Sequence, residues 1–208
     1  MTKDAAQAVI KAILNEKNFL NALDEKIGDG DHGLNMARGA QAAAEALEEL
    51  DSNDTKTILQ AVGEAIAANV GGTAGPLYGA AFLGAANVVD ENSALDIMTL
   101  EKIFGAVVTE IQKRGHAQRD DKTMLDVLIP IHETFRAENA DKSFEEILTE
   151  ARDAGRDGLE HTKTLVAKKG RASALGKKSV GFEDPGAASA LIIFRALCGY
   201  WKDSLRSL

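Results

Sequence analysis

Ser143-Phe144-Glu145-Glu146-Ile147-Leu148-Thr149-Glu150-Ala151-Arg152-Asp153-Ala154-Gly155-Arg156-Asp157-Gly158-Leu159-Glu160-His161-Thr162-Lys163-Thr164-Leu165-Val166 carries the periodicity that decides the fold class. Phe144, Ile147, Leu148, Ala151, Ala154, Gly155, Gly158, Leu159, Thr162, Leu165 and Val166 recur at helical spacing, and Ser143 with Glu146 forms a capping box ahead of them. The spacing predicts one helix over 144–166. Leu100, Ile103, Phe104, Val107, Val108 and Ile111 repeat the same rule upstream. Val9, Ile10, Ile13, Leu14, Leu20 and Leu23 mark an opening helix that ends near Asp24. Further helices are expected at about 31–50, 55–70, 76–90, 122–140 and 185–203, and no segment alternates as a strand would.

The expectation is therefore all-α, eight helices, in a single domain over 1–208, with no linker and no internal repeat. The last helix is apolar on nearly every side from Ala187 to Trp201, which predicts a central, buried position. Gly75-Pro76 and Asp184-Pro185 place proline at the first helical position, where its missing N–H costs nothing, and Asp184 is a ready N-cap.

Composition narrows the function classes. With 24 Lys and Arg against 32 Asp and Glu, the net charge of −8 argues against a nucleic-acid surface. The hydrophobic fraction is 45% and aromatics only 5%, so the core relies on small side chains and close helix packing. The single cysteine, Cys198, lies in an apolar run and reads as a buried structural thiol. No basic-then-apolar leader opens the sequence and no apolar run reaches membrane-spanning length, so a soluble cytoplasmic protein is expected.

Chemistry concentrates in Asp24-Glu25-Lys26-Ile27-Gly28-Asp29-Gly30-Asp31-His32-Gly33-Leu34-Asn35. Asp24, Asp29 and Asp31 repel one another unless a cation sits among them, and an oxygen-only set on a short loop suits Mg²⁺, which shares its shell with phosphates. Gly71-Gly72-Thr73-Ala74-Gly75-Pro76-Leu77-Tyr78-Gly79 joins two helices and offers backbone amides and a helix N-terminus to an anion, without the Gly-Lys-Ser/Thr of a Walker A loop. From Lys168 to Asp184 runs the longest stretch without an apolar period; Lys168, Lys169, Arg171, Lys177 and Lys178 make it the one basic island. Arg171 is its candidate phosphate clamp, and the segment a candidate lid over bound nucleotide. His116, His132 and His161 read as solvated or satisfied. Asp121-Lys122-Thr123-Met124-Leu125-Asp126 reads as a capped helix start with Lys122 and Asp126 paired along one face.

Four separated motifs then converge: Gly28-Asp29-Gly30-Asp31-His32-Gly33 with Asn35-Met36, the 71–79 loop, Asp121–Asp126, and Gly170-Arg171-Ala172-Ser173 with Asp184-Pro185-Gly186-Ala187. In order and spacing they resemble the ADP-binding (L) subunit of bacterial dihydroxyacetone kinase, from about residue 5 to 203. The resemblance implies a barrel of eight antiparallel helices with the nucleotide at one end, and two Mg²⁺ ions on Asp24, Asp29 and Asp31. It implies nucleotide contacts from His32, Gly33, Leu34, Asn35, Thr73, Ala74, Gly115, Met124, Arg171, Asp184, Pro185 and Gly186, with Arg171 serving transfer directly. ADP/ATP is the implied cofactor, dihydroxyacetone on a separate K subunit the acceptor, and a phosphocarrier of the sugar phosphotransferase system the source of recharge. A homodimer is also expected. Two neighbouring readings keep the site but change its use: an ATP-exchanging kinase subunit, and a nucleotide-loaded module that acts on a transcription factor. The sequence departs from the resembled pattern at Ala74 (often serine), Asp120 (usually glycine), Ala174 (often tyrosine) and Phe182 (commonly histidine).

Overall fold

Side chains set most helix starts. The computed structural model describes residues 2–90, 96–137, 139 and 141–206, with backbone alone over 204–206. Within it lie α1 (Lys3–Asn15), α2 (Lys17–Ile27), α3 (His32–Glu49), α4 (Thr55–Asn69), α5 (Ala74–Asn87), α6 (Ile97–Gly115), α7 (Leu125–Arg136), α8 (Phe144–His161) and α9 (Pro185–Arg206), with 3-10 segments at Thr162–Thr164 and Arg171–Ser179. Among the described residues there is no strand. Thr2, Asp54, Asp96 and Ser143 each accept the N–H three residues on, and Glu146 returns its carboxylate to the Ser143 amide, completing the capping box.

Packing neighbours run α1–α3–α4–α5–α6–α7–α8–α9 and back to α1, a closed succession of eight, with α2 laid against α3, α9 and the second 3-10 segment. Inside the ring Phe104, Phe135 and Phe194 meet with centroids 5.3, 5.4 and 6.1 Å apart, tilted or edge-on. Leu100, Ile131, Leu148, Leu191 and Trp201 surround them, and burial pushes the Cys198 thiol up to about 12. Among the described residues, no helix is long and apolar enough to cross a membrane.

Five expectations need correction. The opening helix is two: it breaks at Glu16, whose ψ of 7° leaves the helical region. Ile13, Leu20 and Ile27 are all buried and lie seven apart, so periodicity carries across the break and hides it. The helix over 144–166 stops at His161, because the carbonyls of Thr162 and Leu165 turn to the buried ammonium of Lys122. The helix over 122–140 begins at Leu125, because Asp120 and Lys122 take positive φ of 64° and 61°; positions 138 and 140 at its expected end lie outside the described residues. Pro76 is the third residue of α5 rather than the first, still within the turn where no N–H is missed. Finally, α9 is one member of the ring, with Arg195 and Gly199 exposed, rather than a central helix.

The contact of α7 with α8 depends on two residues that propensity disfavours. Pro130 has no N–H for the Asp126 carbonyl one turn earlier, and Gly158 approaches that oxygen so closely that a Cβ there would lie 2.1 Å from it. Gly158→Ala is expected to force the helices apart and lower unfolding stability by about 1–3 kcal/mol in urea titrations. A wild-type midpoint in that variant contradicts the packing described.

Candidate functional site

A single acidic corner organises the end of the ring where α2, α3, α5 and α9 meet. The Asp24 carboxylate folds back at the end of α2, and its Oδ2 accepts the N–H groups of Asp31 (3.0 Å) and His32 (3.2 Å). Gly28 makes room, since a Cβ there would lie 2.0 Å from Asp24 Oδ1, and Gly30 turns the chain at φ +77°. One carboxylate oxygen from each of Asp24, Asp29 and Asp31 thus comes within 4.8 Å of the others. The Arg171 guanidinium is paired with Asp29 and stands 3.5 Å from Asp31. An all-oxygen donor set, with Asp24 Oδ1 left over after two amide bonds, fits a hard divalent cation.

These carboxylates open on a cleft of about 530 Å³. Thr73, Ala74, Gly115, Met124, Arg171, Asp184, Pro185 and Gly186 line it together with Asp24, Asp29, Asp31, His32 and Asn35. Gly33 and Leu34 follow in the first turn of α3, where the Leu34 amide bonds Asn21 Oδ1 at 3.0 Å and a Cβ on Gly33 would meet the Lys17 carbonyl at 1.9 Å.

Three helix N-termini point into this cleft, and they differ. At α3 the His32 and Leu34 amides bond Asp24 and Asn21, and α9 is capped by Asp184, whose Oδ2 accepts the Ala187 N–H at 2.8 Å. At α5 the Thr73 side chain makes no capping bond, and open space surrounds Gly71 and Gly72, the latter at φ +68°. The first amides of α5 are thus offered to an anion. Leu77, Ile111, Gly115, Ala117 and Met124 give the same cleft an apolar lining. A Cβ on Gly115 would lie 3.2 Å from Leu77 Cδ2, so the glycine keeps a slot open there.

Electrostatics at the floor follow burial. Desolvation pushes Asp184 up to about 7; the Ala187 amide and the Lys122 ammonium oppose this, and Asp126 and Asp24 add to it. His32 is pulled below its ordinary value by burial, against the pull of Asp24 and Asp31. Its Nε2 lies 2.9 Å from Ser189 Oγ, which lies 2.7 Å from the Tyr78 hydroxyl.

The basic segment is pinned from beneath by a residue whose burial the sequence did not reveal. Lys122 is 1% exposed, and its Nζ reaches the carbonyls of Thr162 (2.7 Å), Ser179 (2.8 Å), Phe182 (2.6 Å) and Leu165 (3.4 Å). Burial lowers its pKa, while Asp184 and Asp126 oppose the shift. Asp126 pairs elsewhere, accepting the amides of Asp120 (2.6 Å) and Thr123 (2.7 Å), so the expected Lys122–Asp126 helix pair is replaced by a knot that ties two loops. Asp120 holds φ +64°, a conformation natural to glycine and tolerated by aspartate. Arg171, Ser173, Ala174, Lys177 and Lys178 remain exposed on a 3-10 segment above this base. Tyr78 lay within the glycine loop and Lys122 within the Asp-Lys-Thr-Met run without their buried bonds being foreseen, and no sequence signal marked Ser189.

A DAK2 domain model matches residues 26–199. The chain is 39% identical over 185 residues to the ADP-binding subunit DhaL of PEP-dependent dihydroxyacetone kinase 1 of Listeria innocua, covering 89% of this chain and 88% of that protein. It is 37% identical over 185 residues to the ADP-binding subunit DhaL of the PTS-dependent kinase of Lactococcus lactis, covering 89% and 88%. The dihydroxyacetone kinase of C. freundii, solved in complex with AMP-PNP and Mg²⁺, is similar over 95% of this chain at TM-score 0.72 and 27% identity, and this chain spans 33% of that one.

Lys122→Met leaves several buried carbonyls without a donor, so unfolding stability is expected to fall by about 3 kcal/mol. Amide hydrogen exchange should accelerate over 162–182 more than in α6 or α7. Unchanged exchange in that segment contradicts the knot.

Proposed function

The chain belongs to the DAK2-domain family, and from that membership we propose that it is the ADP-binding subunit of a phosphoenolpyruvate-dependent dihydroxyacetone kinase. The closed succession of helices is on this reading the barrel of the L subunit, a single domain over 1–208 with the nucleotide at its open end. The observation that carries the proposal is the meeting of three carboxylates and an uncapped glycine-rich helix start across one cleft.

Each residue then has a task. Asp24, Asp29 and Asp31 hold two Mg²⁺ ions, whose charge offsets that of the phosphate oxygens. The amides of Thr73 and Ala74 hold the phosphates from the other side; Ala74 serves through its backbone alone. The apolar slot of Leu77, Gly115 and Met124 takes the base. Arg171 pairs with Asp29 and Asp31 in this structure, and with those carboxylates turned to a cation its fork is freed for phosphate. Phosphoryl transfer passes through a loose transition state, so positioning and charge neutralisation supply most of the rate. None of the cleft side chains described here is assigned to deprotonate the acceptor, because dihydroxyacetone is held on the separate K subunit. A phosphocarrier of the sugar phosphotransferase system regenerates ATP in place, in the cytoplasm, and the L subunit works as a homodimer.

Asp29→Ala is expected to abolish Mg²⁺-dependent ADP binding in isothermal titration. It should also abolish triose phosphorylation in a mixture of this chain, a K subunit and the phosphocarrier. Near-normal transfer in that variant refutes the assignment, and a wild-type chain that does not restore transfer leaves the nucleotide-loaded regulatory module as the better reading.

A further inference from the structure

The hydrogen-bond chain under the cleft joins the starts of three helices. His32 is the first residue of α3, Tyr78 the fifth of α5 and Ser189 the fifth of α9. Ser189 Oγ lies 2.9 Å from His32 Nε2, 2.7 Å from the Tyr78 hydroxyl and 3.0 Å from the Gly186 carbonyl. Ser189 is fully buried and Tyr78 is 5% exposed. Phenylalanine and alanine would fill the same space without polar atoms to satisfy, so a buried polar chain here has to be justified by what it orients.

Ser189 Oγ is the meeting point of the chain: besides His32 Nε2 and the Tyr78 hydroxyl it reaches the Gly186 carbonyl, which can only accept, and the Tyr78 hydroxyl lies 3.4 Å from that same carbonyl. The serine has one proton and cannot donate to both the carbonyl and the ring, so the proton on Ser189 and the tautomer of His32 are set together.

We propose that Tyr78 and Ser189 are positioning residues that act through His32, as a clasp rather than a proton carrier, to hold the N-termini of α3, α5 and α9 in register around the bound phosphates. The inference rests on the nucleotide reading of the cleft. The acidic corner before α3, the glycine loop before α5 and Asp184 before α9 each sit within a few residues of a clasp member, so slack in the clasp spreads to all three.

The test has two readouts on the full chain. Long-range ¹⁵N–¹H correlation spectra of the wild type should show His32 held in a single tautomer, and in Ser189→Ala the Nε2 resonance should shift as its hydrogen-bond partner is lost. Tyr78→Phe should keep its thermal midpoint near that of the wild type while binding ADP with Mg²⁺ about fivefold more weakly, the loss expected for one hydrogen bond. In the reconstituted kinase the same variant should show the deficit mainly in nucleotide affinity, with turnover at saturation little changed. An Nε2 resonance unmoved in Ser189→Ala, or unaltered ADP affinity in both variants, overturns the proposal. A wild type that binds no ADP would instead overturn the nucleotide reading, and the tautomer spectra would still decide the direction of the clasp.

Discussion

Three carboxylates held within 4.8 Å of one another are unfavourable unless positive charge joins them, and this constraint governs the open end of the molecule. Asp24 is fixed by two backbone amides, so it cannot swing away to relieve the repulsion. In the structure the balancing charge comes from Arg171, which arrives from far along the sequence on an exposed 3-10 segment. The corner thus connects the beginning of the chain to its closing loop, and a cation entering the corner changes what Arg171 is free to do.

Around that corner the fold supplies rigidity in proportion to need. Lys122 ties the base of the closing segment to the turn before α7, and Asp126 holds the same turn through two amides. From Gly170 to Lys178 the hold is lighter: the buried Ala172 packs with Ile27 and Ala167, Arg171 pairs with Asp29, and local turns do the rest. A loop built this way keeps its ends in place while its middle, with the basic side chains, answers to the charge in the cleft.

Much of this was legible in the sequence, for identifiable reasons. Capping is local, so Ser143 with Glu146 and Asp184 with Pro185 announced the starts of α8 and α9 correctly. The aspartate spacing and the glycine loop put metal-type and anion-type ligands in short runs that fold as units. What escaped depends on distant partners. Lys122 looks like any solvated lysine until four carbonyls from 162–182 gather on it. Ser189 and Tyr78 look like ordinary helix residues until α9 and α5 meet over His32. The break at Glu16 escaped for the opposite reason, since buried residues seven apart preserve the helical phase through it.

The most direct measurement of the account is anomalous diffraction from crystals grown with ADP and Mn²⁺ in place of Mg²⁺. The account predicts manganese peaks bridging Asp24, Asp29 and Asp31 to the phosphate oxygens, with those oxygens also on the first amides of α5. An acidic corner without manganese, Arg171 still paired with Asp29 and the nucleotide absent or bound elsewhere, would contradict it.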